Sequence, residues 1–400
     1  MGWFVLLVVA SGFLAFAQDF LLGSLFPVQV ALRVLLLVQI LYILAIGRFG
    51  TQQLPSMLVF PIVLLSISML ATLLLQLVDG ADLSRTLRAF YFMFGIGVFI
   101  AFLPFVPLSI ERIPLFATFT VACVLFGTLQ VLSQDLFLSE ALLTEFGLVY
   151  VLFTSGSVRA VSFFNSAPRF AEFLVFVLCW LLFDIVSRRR LIFLKLMMYG
   201  VCLWLLFNTF SRSGYILFVV ATAVVVFGAQ RQIFGGRDIR GLLGRLFAVI
   251  ALALSLAAVV GFVDFERLGI TDSTSLKARF DHWRVLQERV AGFTLLQYLF
   301  GSGEAAMFSR SELEYFVVDN LFIALFLYSG LFALFAFLLL VASTIIVIST
   351  IMHSKSASRM LPALALYVGL IFQGFFVDNH NTIFLVQICL LGMIRAKWPT

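Results

Sequence analysis

The stretch "WLLFNTFSRSGYILFVV", Trp204 to Val220, decides how this chain is read. Two long apolar runs meet at Thr209–Gly214, and Arg212 sits in the joint. Neither run alternates every second residue, so each reads as a helix and not a half-buried strand. An arginine at mid-bilayer costs about 2.5–3.5 kcal/mol, and less at a helix end. The joint therefore reads as a turn between two membrane-crossing helices, with Arg212 at the rim. Taken alone, Arg212 is explained by snorkelling to the headgroups. Ser211, Ser213 and Gly214 add a second reading: they admit another backbone and leave the start of the next helix open to an anion.

The same pattern recurs along the chain. Of 400 residues, 63% are hydrophobic and 12% charged, and the mean hydropathy is +1.14. A soluble domain is about half apolar and a quarter charged, and cannot hide this much apolar surface. Backbone in lipid must satisfy its own hydrogen bonds, so only helices or a closed barrel can span. Continuous apolar runs without alternation exclude the barrel. The expected fold is all-α: a polytopic transmembrane helical bundle of about twelve spans, at 3–17, 28–46, 55–78, 88–107, 114–132, 170–186, 191–208, 213–229, 246–263, 320–349, 360–377 and 382–394. Residues 1–400 read as one integral membrane domain. The first run begins at Gly2 without a basic flank or a small-residue cleavage site, and reads as a retained helix. The 48 phenylalanines read mostly as lipid-facing filler. Cys123, Cys179, Cys202 and Cys389 lie inside apolar runs and read as buried small hydrophobes, without metal or disulfide spacing.

Basic loops orient the chain. "SRRR" (Ser187–Arg190), Arg231 to Arg245, "HSKSASR" (His353–Arg359) and the tail "RAKWPT" fall on one side of a twelve-span bundle, which makes that side cytoplasmic. These loops supply most of the net charge of +6, so no nucleic-acid partner is needed to explain it. The outer face then carries two long segments, 133–169 and 264–319, the second large and partly helical. Chemistry or binding is expected there.

Several outer residues stand out. In "TDSTSLKARFDHWRVLQERV", Arg279 and Trp283 share a helix face with Leu286 and Val290; an interfacial helix at headgroup depth accounts for them as well as a binding role does. "FGSG" places Gly301 and Gly303 where a tight turn and close backbone approach are possible. Arg159 and Arg169 precede a span that contains Glu172, and pairing of Glu172 with Arg169 is the structural alternative to function. Asp319-Asn320 heads another span, and "VDNHN" brings Asp378, Asn379 and His380 to a further outer junction; helix capping competes with acid–base work at both. Arg159, Arg212 and Arg279 together suit an anion of delocalised charge, since the guanidinium fork matches phosphate or pyrophosphate.

The order of these motifs resembles the O-antigen polymerase and O-antigen ligase superfamily of bacterial integral membrane glycosyltransferases. "SRSG" opens a helix, a long outer loop bears Arg279 and Trp283, "GSG" follows, and Asp319-Asn320 heads a span continuing "LYSGLFALF". Upstream, "VRAVSFFNSAPRFAEFL" resembles the family's arginine-bearing segment before a span, so the resemblance covers about Arg159 to Phe335. It implies a GT-C-like fold in the bacterial inner membrane, with an active site facing the periplasm. It also implies a glycan donor on undecaprenyl pyrophosphate, with no nucleotide sugar, metal or other cofactor. Membrane lipid and a chain-length regulator protein are the further partners implied. By the match, Arg159, Arg212 and Arg279 hold the leaving pyrophosphate, Asp319 is a catalytic candidate, and Arg169, Ser211, Trp283, Gly301, Gly303, Asn320 and His380 line the substrate site. Ligases of this family carry a histidine where this chain has Asp319, which favours a polymerase of lipid-linked repeat units over a ligase acting on lipid A-core. The base stays open among Asp319, Glu314, Asp378 and His380. A lipid-linked glycan transporter is the alternative of another class. It would bury charge along a mid-span path, whereas here the candidate charges cluster at the outer face; Arg33, within the second span, is an exception that a short or tilted helix equally explains.

Overall fold

The computed structural model describes residues 55–78, 114–135, 153–154, 157–162, 164, 167–187, 191–233, 288, 290–302, 320–351, 360–375 and six single positions between 383 and 394. The spans read at 3–17, 28–46, 88–107 and 246–263 lie outside these residues. The described chain is mostly helical: α1 (Ser56–Val78), α2 (Pro114–Ser133), α3 (Ala167–Ser187), α4 (Ile192–Asn208), α5 (Arg212–Ile233), α6 (Leu295–Phe300), α7 (Leu321–Ile351) and α8 (Leu361–Gln373). Seven of these fall on expected spans, and α6 lies within the second outer segment. Two of them, α1 and α7, are long and apolar enough to cross a membrane. The all-α expectation omitted one small element. A hairpin of two-residue strands, β1 (Phe153–Thr154) and β2 (Ser157–Val158), closes part of the first outer segment.

The helices cluster in two compact units. In the first, α3 contacts both α4 and α5, and α4 also contacts α2. The face of α3 that carries Phe170, Leu174, Leu178 and Leu182 repeats every four residues and is buried throughout, which aligns the helix with its neighbours. A β-carbon at Gly214 would press on the Ala171 methyl, so only glycine lets the start of α5 approach α3 this closely. At the other end of α3, Lys195 of α4 bonds Asp184 at 2.5 Å.

The second unit holds α1, α6 and α7, and the span read at 320–349 is broken within it. At Gly330 the backbone of α7 takes φ 73° and ψ −172°, so two helical segments meet there. The break frees carbonyls that lipid cannot satisfy. Polar partners meet them: Ser302 donates its N–H (2.9 Å) and hydroxyl (3.2 Å) to the Leu327 carbonyl, and Ser68 of α1 donates to the Ser329 carbonyl at 3.3 Å. Thr72, one turn along α1 from Ser68, donates to the Phe300 carbonyl at 2.6 Å. Gly301 and Gly330 face each other's backbones. A β-carbon on Gly301 would overlap the Tyr328 carbonyl, and one on Gly330 would overlap the Leu299 carbonyl. Gly301 also has φ 82°, a region that side chains disfavour. Within the second outer segment, the "FGS" turn of Phe300–Ser302 is thus no free-standing loop: it lies against α7 near Tyr328, seven residues after the helix begins.

Candidate functional site

In the first unit the site is built around a short strap of non-helical backbone, residues 158–162. Gln130, wholly buried on α2, anchors one side: its Oε1 accepts the N–H of Ser162 at 2.7 Å and of Val161 at 3.3 Å. The Ser162 hydroxyl donates to the Cys123 carbonyl at 2.7 Å, and Gln134 Oε1 accepts the Val158 N–H at 3.1 Å. Ser162 has φ 51°, a left-handed conformation that costs a non-glycine residue about 1–2 kcal/mol and persists because these bonds fix it.

The other side of the strap is tied to the joint between α4 and α5. The Ala160 N–H donates to the Asn208 carbonyl at 2.8 Å. Arg159 donates from Nε to the Thr209 carbonyl at 2.9 Å and from Nη2 to the Phe210 carbonyl at 3.2 Å. These carbonyls lie at and just past the C-terminal end of α4, where carbonyls lack helical partners and attract cations. Phe210 is itself left-handed, with φ 48°. The joint is further held by Tyr215, whose hydroxyl donates to the Phe207 carbonyl at 2.8 Å.

Arg212 is the first residue of α5 and is half-buried. Ser211 precedes it as the cap: its hydroxyl accepts the Gly214 N–H at 3.2 Å and lies 3.3 Å from the Ser213 hydroxyl. Ser211 thereby already occupies one of the N–H groups of this helix start. Burial lowers the Arg159 pKa from its ordinary value; the Tyr215 phenol opposes that shift, and Arg212 adds to it as a nearby like charge. Arg212 therefore lies near enough to Arg159 for their like charges to oppose each other, at a joint held by these hydrogen bonds.

The remaining sequence candidates separate. Arg169 pairs with the buried Glu172 at 3.1 Å, as the structural alternative expected. Asn320 caps α7: its Oδ1 accepts the N–H groups of Phe322 (2.9 Å) and Ile323 (3.1 Å), while Nδ2 donates to the Phe375 carbonyl at 3.1 Å. Gly301 serves the backbone crossing described above. Arg279, Trp283, Gly303, Asp319 and His380 lie outside the described residues, as do Glu314 and Asp378. The structure therefore brings Arg159, Ser211 and Arg212 together in one unit. Sequence reading missed Gln130 and Gln134, although a glutamine inside an apolar run such as 114–132 was the available signal. Comparison with protein-family models and with curated proteins finds no match to this chain.

Proposed function

We propose that this protein is a polytopic glycosyltransferase of the bacterial inner membrane that polymerises lipid-linked polysaccharide repeat units at the periplasmic face. The observation that supports this reading is that Arg159, hydrogen-bonded to the α4–α5 joint, feels the like charge of Arg212 at the capped start of α5. Like charges held together are stabilised when an anion lies between or beside them. A diphosphate ester suits them, since its oxygens accept the paired N–H groups of a guanidinium.

In the proposed reaction the bond between the donor sugar's anomeric carbon and the pyrophosphate oxygen breaks. A hydroxyl of the acceptor glycan forms the new bond to that carbon, and its proton passes to a base. The undecaprenyl pyrophosphate leaves with the bonding electrons, so negative charge grows on it through the transition state. Cations fixed beforehand stabilise that charge more than they stabilise the ground state. Arg212 contacts the leaving group. Arg159, with Nε and Nη2 already on carbonyls, chiefly sets the position of the joint. The sequence resemblance gives Arg279 the leaving-group role as well, and offers Asp319 as acceptor of the proton.

Reconstitution with a purified undecaprenyl-pyrophosphate-linked repeat unit tests the proposal. A ladder of longer lipid-linked products is expected. Transfer only to lipid A-core would make the protein a ligase, and movement of the intact lipid across the bilayer would make it a transporter. Arg212→Ala is expected to abolish the ladder while inserting normally, and Lys at that position to restore little, because an ammonium lacks the fork. Arg279→Ala carries the same expectation. Full activity in Arg212→Ala would remove the leaving-group clamp.

A further inference from the structure

The second unit contains a polar group that no role above absorbs. Ser68, Thr72 and Gln76 are spaced four residues apart on α1 and share its buried face. The first two meet the Ser329 and Phe300 carbonyls. Gln76, one turn further on, is also buried, at 5% exposure, yet among the described residues neither its amide nitrogen nor its amide oxygen has a hydrogen-bond partner. A buried carboxamide left wholly unmet is rare, because desolvating it is costly and an apolar side chain of the same shape would avoid that cost. Gln76 stands in the last turn of α1, two residues before Val78, which is 80% exposed. The group is therefore shallow along the helix while closed from bulk solvent.

The missing partner must donate to Oε1 and accept from Nε2. A hydroxyl does both; an anion or a cation does only one. In the proposed twelve-span topology the C-terminal end of α1 faces the periplasm, as do the glycans of the proposed reaction. We propose that Gln76 anchors a subsite for a sugar hydroxyl of the acceptor glycan, beside the Thr72–Phe300 contact. This inference rests on the glycosyltransferase reading, and its test separates the two.

The full chain in lipid nanodiscs would be titrated with the free repeat-unit oligosaccharide, released by mild acid from the host's lipid-linked pool, with thermal unfolding as the readout. Wild type is expected to melt higher with the oligosaccharide. Gln76→Met keeps the volume and removes the unmet amide, so it should melt no lower than wild type, bind the oligosaccharide at least tenfold more weakly, and raise the acceptor KM with kcat little changed. If Gln76→Met does not fold, Gln76→Asn, which withdraws the amide by one carbon, takes its place with the same expected loss of binding. Equal binding by wild type and variant would mean that an enclosed water meets the amide, and the proposal would fail while the polymerase reading stood. Absence of oligosaccharide binding in wild type would also overturn it. Binding that depends on Gln76 in a protein that makes no ladder would keep the subsite and sink the polymerase reading.

Discussion

Arg159 and Arg212 are near neighbours with different tasks, and the difference is measurable. Arg159 closes two carbonyls at the α4–α5 joint, and its loss leaves the Thr209 and Phe210 carbonyls without these donors. Removing one partner of a buried hydrogen bond costs about 1–3 kcal/mol. Arg159→Ala is therefore expected to lower the thermal midpoint of the purified protein by more than Arg212→Ala does, whereas Arg212→Ala is expected to lose activity. Similar melting of the two variants would contradict this division of labour. Gln130 extends the argument, since its carboxamide meets two strap N–H groups from inside α2. Gln130→Leu should destabilise by roughly 2–3 kcal/mol in the same assay and impair activity only through the misplaced strap. At this scale residue types were legible and most of their partners were not. Arg169 with Glu172, and Asn320 as a cap, were legible because both are local in sequence. The Arg159 and Gln130 contacts join residues roughly thirty to fifty apart, and no short-range pattern encodes them.

Among the elements, α7 shows most clearly where periodicity stops being informative. Its 31 residues are apolar on all sides, so no pattern marks where one helical segment ends. The Ser329-Gly330 pair was the one local hint of a break. Two glycines at a single crossing also make a coupled prediction. Gly330→Ala forces a methyl into the Leu299 carbonyl at a positive φ, and Gly301→Ala forces one into the Tyr328 carbonyl. Backbone cannot rotate aside as a side chain would, so each variant should lose more than about 2 kcal/mol. Either methyl separates the same two backbones, so the double variant should lose less than the sum of the two. Strict additivity in denaturation of the detergent-solubilised protein would show that the two glycines act at separate contacts.

For the whole molecule, composition and run length carry the class, and charge carries the orientation. The apolar runs were legible because lipid removes the alternatives to helix, and seven of them coincide with helices seen here. Span number and sidedness are wider claims, resting on the placement of Arg and Lys between runs. They can be read out with single cysteines. Cys123, Cys179 and Cys202 are buried and should be silent to aqueous reagents, which leaves Cys389 as the native thiol to replace by serine. In that background a cysteine at Ser187 or Ser356, each beside a basic cluster, should react in intact cells only with a membrane-permeant maleimide. A cysteine at Asn379 should be blocked by an impermeant one, because "VDNHN" is read as periplasmic. The proposed chemistry needs Arg212 on the same side as position 379, since the lipid-linked donor is displayed there. An Arg212→Cys variant protected from the impermeant reagent while Asn379→Cys is labelled would break that requirement. It would change the span count and take the leaving-group role from Arg212 at once.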